Sequence, residues 1–509
     1  MRAKRFVASS LARTLETIVA IISGLIMMPL MIRILGENLY GIWIIIGSIV
    51  GSLYLFDIGM SSTVTRYVSY ALSQKDRRRA SQVMSTAFAI YSALSLIIII
   101  TAVVIALGAT FFVESPENTR LVQILILIVG LNVAVEFPFK SYAGIAGYHL
   151  RQDLLSYSRI TFKIVSTLVV AWLLFEGYQL IAIALVQLTS SFFSNLVFRF
   201  IAHYLEPEVR LQPRLIDKAT VQEIFSFSAW AFIVDLSRLL KERGDVWMVA
   251  AFTAPTVLTI YYVGVRLVEY ANQLLYKAFG FTLPLYTEAV ARHDDIELAR
   301  KVRLFIRLNT IVAIGLLTAA FLFGQDLIRL WMGNDFKADD AYLVFVILLS
   351  TKLLVFITAP YSNVLFAIAK HKNQAIISGS EAILSLILIP VFINFLENSL
   401  LGASLGIALP FFITRPFILP LIVSNATKLP ISLLYYTVFE LVAKAGIFTL
   451  VWIAIFQTIA SELNLFWFFF AGGIYSLTFG AFTYLVLLEY REKELIKSSL
   501  RRKGQTSAY

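Results

Sequence analysis

The chain has no cysteine, which excludes disulfides, thiol nucleophiles and cysteine metal ligands. Charge is scarce: 15% of its 509 residues are Asp, Glu, Lys or Arg, where a soluble domain carries about 25%. Histidine occurs four times, at His149, His203, His293 and His371, too scattered to form a metal cluster. No HExxH, Walker loop, GxSxG or kinase signature is present. The sequence therefore argues for no catalytic residue, no metal and no cofactor. A cleavage site is also missing after the basic, then apolar, N-terminus, which reads as a retained first helix.

What replaces charge is apolar surface. Hydrophobic residues make up 59% of the chain, and the mean hydropathy is +0.80. A bilayer core about 30 Å thick needs about 20 apolar residues per helix. Runs of that kind recur along the whole length, so the expected class is an all-α polytopic membrane protein. Fourteen spans are expected, near 9–33, 38–58, 84–113, 120–147, 153–174, 179–200, 222–242, 246–270, 303–324, 340–368, 375–396, 401–423, 432–458 and 465–488.

The loops alternate in charge. Arg77, Arg78 and Arg79 follow the second span, Arg210 and Arg214 the sixth, Arg300 and Lys301 the eighth, and Arg501, Arg502 and Lys503 the last. The intervening loops are acidic or neutral. Positive loops stay inside, so both termini are expected in the cytoplasm, with the arginine run able to touch anionic lipids. The net charge of +11 has the same source, and nucleic acid is not expected as a partner.

Two stretches repeat. SYALSQKDRRRASQV near Ser69 resembles TEAVARHDDIELARKV near Thr287. FPFKSYAGIAGYHLRQDLLSYSRI from Phe137 resembles APYSNVLFAIAKHKNQAIISGSEA from Ala359 at an offset of 222, which sets Arg159 opposite Glu381. Six spans per period preserve orientation, as in parallel repeats. The expected organisation is an N-lobe over 1–203, a polar linker over 204–221, a C-lobe over 222–424, and two further spans with a basic tail over 425–509. GSIVG, from Gly47 to Gly51, is read as a helix-packing GxxxG.

Charges inside spans are costly and face partners or water. Arg13/Glu16, Asp235/Arg238 and Arg266/Glu269 are spaced i,i+3, and Glu136/Lys140 and Glu440/Lys444 i,i+4, so each pair can neutralise itself on one helix face. Arg159, Lys163 and Lys352 have no obvious same-helix partner and fit an aqueous cavity better. Asp57 reads as an interfacial carboxylate that pairs with Arg66 or caps a turn at Gly59.

PLMIRILGENLYGIW (from Pro29), LFDIGMSSTVTRYVS (from Leu55), LQPRLIDKATVQEIFSFS (from Leu211) and LIRLWMGNDFKADDAY (from Leu327) resemble the Wzx-type polysaccharide-biosynthesis flippases. These belong to the superfamily of MATE exporters and MurJ-type lipid II flippases. The resemblance implies a MATE-like fold of two six-helix lobes plus two C-terminal helices, in the bacterial inner membrane, working by alternating access. It also implies an undecaprenyl-diphosphate-linked oligosaccharide as substrate. Fourteen spans depart from the twelve often assigned to the Wzx type and look more like the MurJ type. The expected substrate contacts are Arg159, Lys163, Arg238, Arg266, Lys352 and Glu381. The expected coupling carboxylates are Glu16, Glu136 and Asp235, for H+ or Na+. A MATE-like cation antiporter and a lipid II flippase are the alternatives; a glycan polymerase would need a large outside loop that is missing here.

Overall fold

The computed structural model describes residues 2–57, 59–111, 116–280, 282–459 and 464–494, with side chains described except at 2–6, 111, 116–117, 226–235, 237–238, 241–242, 371 and 457–459. Among these residues there is no strand. The helices are α1 (Arg2–Gly51), α2 (Met60–Ser73), α3 (Arg77–Leu107), α4 (Pro116–Phe139), α5 (Ala143–Tyr148), α6 (Gln152–Phe175), α7 (Leu180–Leu205) and α8 (Lys218–Phe252). There follow α9 (Pro255–Phe279), α10 (Leu283–Ala291), α11 (Asp295–Met332), α12 (Ala338–Ala367), α13 (His371–Phe395), α14 (Ser399–Ile413), α15 (Leu419–Ala426), α16 (Ser432–Ile459) and α17 (Leu465–Phe482).

Among the described residues, 11 helical stretches are long and apolar enough to cross a membrane. The first holds two expected spans, because Gly36 breaks α1 with φ 84° and ψ 162°, a backbone that only glycine adopts without strain. The more charged α8 and α9, at 35 and 25 residues, are also of spanning length. Each of the fourteen expected spans is thus matched by a helix. One boundary moves. The break expected near 243–245 lies at Thr253 and Ala254, ahead of Pro255. Proline drives the residue before it out of the helical region, whereas Lys241, Glu242 and Arg243 have no such effect.

The chain divides into two compact units, Met1–Thr259 and Ile260–Tyr509. In the first, α8 packs against α1, α2 and α3. The polar stretch before α8 lies along α3. The amides of Arg210, Gln212 and Asp217 donate to the hydroxyls of Ser81, Ser85 and Thr86 at 3.2, 2.9 and 3.4 Å. Arg77 pairs with Glu206 and Glu208, and Arg79 with Glu223.

The second unit packs α10, α11, α12, α15 and α16 around Tyr286, Val302, Ile306, Tyr361, Leu365 and Val423. Its tightest helix contact lies between α13 and α14. A Cβ added to Gly402 would stand 2.5 Å from the Phe392 carbonyl oxygen, and one on Gly406 2.6 Å from the Ile389 Cα. This second GxxxG brings two backbones together. The motif singled out from the sequence does not: a Cβ added at Gly47 or Gly51 would meet no other part of the described structure within 4 Å. In the first unit a close approach is at Gly41, where an added Cβ would run into the Pro255 carbonyl.

The repeat appears as turn geometry. Lys75, Leu150, His293 and Ala369 are the non-glycine residues with positive φ among the described residues, at 60°, 54°, 54° and 58°. Each closes a helix: the Lys75 and Asp76 amides donate to Leu72 and Ala71 at 3.0 Å, and those of His293 and Asp294 to Val290 and Ala289 at 3.0 and 3.1 Å. This is the bonding that terminates helices on a left-handed residue. Asp76 and Asp294 then cap α3 and α11, accepting from the Arg79 and Glu297 amides at 2.8 Å. Lys75 and His293 are 218 positions apart, and Leu150 and Ala369 are 219 apart. The 222-residue alignment of the second pair is therefore about one helical turn out of register. At 219, Arg159 matches Ser378 instead of Glu381. A slip of one turn preserves a helix face, so apolar sequence cannot reject it.

Candidate functional site

A cavity of about 360 Å³ opens in the first unit, lined by Ser61 of α2, Glu136 and Phe139 of α4, Lys140, Ala143 of α5, Leu155 and Arg159 of α6, and Ser191, Ser194, Asn195 and Phe198 of α7. The sequence explains these positions. Ser191, Ser194, Asn195 and Phe198 are spaced i, i+3, i+4, i+7, and Leu155 and Arg159 i, i+4, so each set shares a helix face. Glu136 and Lys140 straddle a break. Pro138 has no N–H for the Ala134 carbonyl, and the Ser95 hydroxyl donates to that carbonyl at 2.6 Å instead. The chain leaves α4 in a 3₁₀ turn over Lys140–Tyr142.

The charges at this cavity pair between helices. Arg159 donates to Glu16 of α1 at 3.1 Å, and its guanidinium lies 5.1 Å from the Phe198 ring centre. Lys140 donates to Asp57 at 3.0 Å, with its ammonium 4.2 Å from the Phe137 ring centre. Asp57 also accepts from the Tyr91 hydroxyl at 2.8 Å and the Ser61 amide at 3.1 Å. Glu136 accepts from the Tyr54 hydroxyl at 2.7 Å. The expected same-helix pairing of Glu136 with Lys140 is therefore replaced, because tertiary partners reach both ends. Asp57 does cap the turn after Gly59, and its cation is Lys140. In α16, by contrast, Lys444 donates to Glu440 at 2.5 Å, as spaced.

In the second unit Arg266 pairs with Glu269 at 2.7 Å and donates to the Tyr262 hydroxyl. Lys352, half-buried in α12, has no hydrogen-bond or ion-pair partner among the described residues. Glu381 is fully buried and accepts both arms of Arg415, at 2.6 and 2.5 Å, and the Thr414 hydroxyl at 2.6 Å. Arg415 sits in a π-helical turn, Thr414–Ile418, at Pro416, which lacks the donor that would continue α14 regularly. Lys163 is exposed on α6. The side chains of Asp235 and Arg238 lie outside the described residues.

Sequence reasoning missed Arg307, which is 1% exposed. It donates to Glu492 at 3.0 Å and to the Leu487 carbonyl at 2.7 Å, and pairs with Glu440 and Glu489. A charge near a span end gives no sign that a distant terminal segment will fold over it. The polar face of α7 was also missed, although its helical spacing could have found it.

The helix order, the kinked first helix and the spanning lengths define an all-helical polytopic membrane protein. An inward-facing multidrug resistance MATE family transporter of the MOP superfamily aligns with a TM-score of 0.67 at 12% identity, over 81% of this chain and 95% of its own. The lipid II flippase MurJ, in an inward closed conformation, aligns with a TM-score of 0.64 at 16% identity, over 94% of this chain and 98% of its own. A Vibrio cholerae MATE transporter gives 0.55 at 12%, over 84% and 97%. No curated protein matches the sequence. The family model described as "Polysaccharide biosynthesis protein" matches residues 30–339, and the chain belongs to that family. It is a multi-pass membrane protein with the fold of the MATE and MurJ structures.

Proposed function

We propose that the protein moves an undecaprenyl-diphosphate-linked oligosaccharide from the cytoplasmic to the periplasmic leaflet of the bacterial inner membrane, by alternating access. The observation that carries this reading is Lys352. An ammonium within an apolar span is costly unless water or an anion meets it, and Lys352 has no partner among the described residues. A mobile diphosphate supplies that partner. Arg159, Lys163, Arg238 and Arg266 add positive charge along the route; of these, Arg266 exchanges its carboxylate for the diphosphate as it passes. Glu381 keeps Arg415 in place from behind. The prenyl tail stays in lipid, since withdrawing it from hydrocarbon costs about 0.8 kcal/mol per CH₂.

The first unit supports the coupling half of the cycle. Glu136 lines its cavity, and Glu16 and Asp57 stand beside it on Arg159 and Lys140, so carboxylates able to take up and release a cation lie next to charges that can change partner. H+ or Na+ uptake at Glu16 would free Arg159 from it, with Glu136 and Asp235 as the other coupling carboxylates. The organisation into lobes over 1–203 and 222–424, with both termini cytoplasmic, accompanies this proposal.

Deletion of the protein tests the reading: a lipid-linked oligosaccharide should accumulate in the inner leaflet, as read by mass spectrometry. Complementation with Lys352→Gln should leave that accumulation in place while the protein inserts at its normal level. No accumulation on deletion overturns the proposal.

A further inference from the structure

We infer that the cavity of the first unit is a sugar subsite, taking a pyranose ring of the transported glycolipid rather than its diphosphate. This rests on the glycolipid reading above and assigns one part of that substrate to one place. Two buried polar groups carry it. Ser194 is 8% exposed and Asn195 7%, and both line the cavity. The Asn195 amide nitrogen donates to the Ser191 carbonyl at 2.9 Å and to its hydroxyl at 3.3 Å. Its Oδ1 and the Ser194 hydroxyl have no partner among the described residues. Neither oxygen is among the unpartnered side-chain atoms shut off from solvent, so both face the open cavity, where a ligand's donor or acceptor can reach them.

The charges select what that ligand is. Lys140 and Arg159 line the cavity but are already held by Asp57 and Glu16. Glu136 lines it too, and its carboxylate repels a diphosphate. Because each of these cations already holds a carboxylate, the cavity offers an anion little attraction. A neutral polyol meets every group. Ring hydroxyls donate to Asn195 Oδ1 and Glu136, and accept from Ser194, Arg159 and Lys140. The apolar face of a pyranose has the rings of Phe139 and Phe198 as a wall. The volume lies within the range of about 300–1,000 Å³ of small-ligand pockets. Splitting the substrate this way leaves the diphosphate to other cations, Lys352 first among them.

The test uses the full chain, purified in mild detergent from cells making their own glycolipid. The probe is that glycolipid pool, recognised by its hexose and hexosamine fragment ions. Ser194→Ala and Asn195→Ala should each lower the glycolipid that co-purifies by about tenfold, as expected for a lost buried hydrogen bond, with co-purifying phospholipid unchanged. A photo-crosslinking side chain at Ser194 should capture glycan, while the same side chain at Leu168, exposed on α6, should capture phospholipid alone. Equal glycolipid retention by both variants, with no glycan captured at Ser194, overturns the sugar subsite and leaves the transport reading standing. If no glycolipid co-purifies with the unaltered protein, and none accumulates on its deletion, the transport reading falls and the subsite with it.

Discussion

Two intramembrane ion pairs, one in each unit, are held in opposite ways. In the first, Arg159 and Glu16 are paired while their side chains stay 45% and 27% exposed, beside a cavity. In the second, Arg415 and Glu381 are 2% and 0% exposed, locked by two arms of a guanidinium. An exposed pair is worth about 0–1 kcal/mol and opens readily. A buried pair adds little net stability, but losing one member strands a charge at a cost of about 3–5 kcal/mol. The first arrangement suits groups that change partners during a cycle. The second suits groups that never do.

The sharpest way to break this contrast is Arg415→Met. It strands the Glu381 carboxylate and should lower stability by about 3–5 kcal/mol, read as loss of membrane-inserted protein. Adding Glu381→Leu should restore insertion, because an apolar pair removes both charges. If the single variant inserts normally, the pair is not the lock described.

Next in size is the packing between α13 and α14. Gly406→Leu drives a side chain into the Ile389 backbone and should cost about 1–3 kcal/mol, visible as a lowered thermal midpoint in detergent. Gly47→Leu enters open space and should fall within about 0.5 kcal/mol of the unaltered protein. Equal losses at both positions would remove the distinction between the two GxxxG motifs.

Smaller still is Arg159→Ala, which should change the thermal midpoint by no more than about 1 kcal/mol represents, while transport falls. The double variant with Glu16→Ala sharpens this. A structural pair predicts that the double regains transport; a transport role predicts that it does not.

The smallest effect concerns Asp217, the cap of α8. The Thr220 amide donates to its carboxylate at 2.9 Å, as does the Thr220 hydroxyl, which holds its pKa below the ordinary carboxylate value. A carboxyl depressed in the folded state stabilises above its unfolded pKa, and that help is lost as pH falls through the folded value. Proteolysis of the 204–221 stretch should therefore be flat from pH 8 to 5 in the unaltered protein. Asp217→Ala should raise it uniformly across that window, and a pH-dependent rise would contradict the assignment.

Much of this was legible in the sequence because it depends on local pattern. Membrane class, the number of spans and the Arg266–Glu269 and Glu440–Lys444 pairs follow from run length and helical spacing, which neighbours do not alter. Asp76 and Asp294 announce the next helix for the same reason: a carboxylate cap needs only the amides that follow it. Tertiary structure decided the rest. Lys140 chose Asp57 over Glu136 because Pro138 breaks the helix between the i and i+4 positions and an interhelical carboxylate lies within 3.0 Å. Arg307 became a buried node only when the segment after α17 folded onto α11. Gly402 and Gly406, not Gly47 and Gly51, make the tight contact, since GxxxG permits close approach but only a partner helix completes it. Ser194 and Asn195 are polar letters in an apolar run, and came to line a cavity only where α2, α4 and α6 pack beside them.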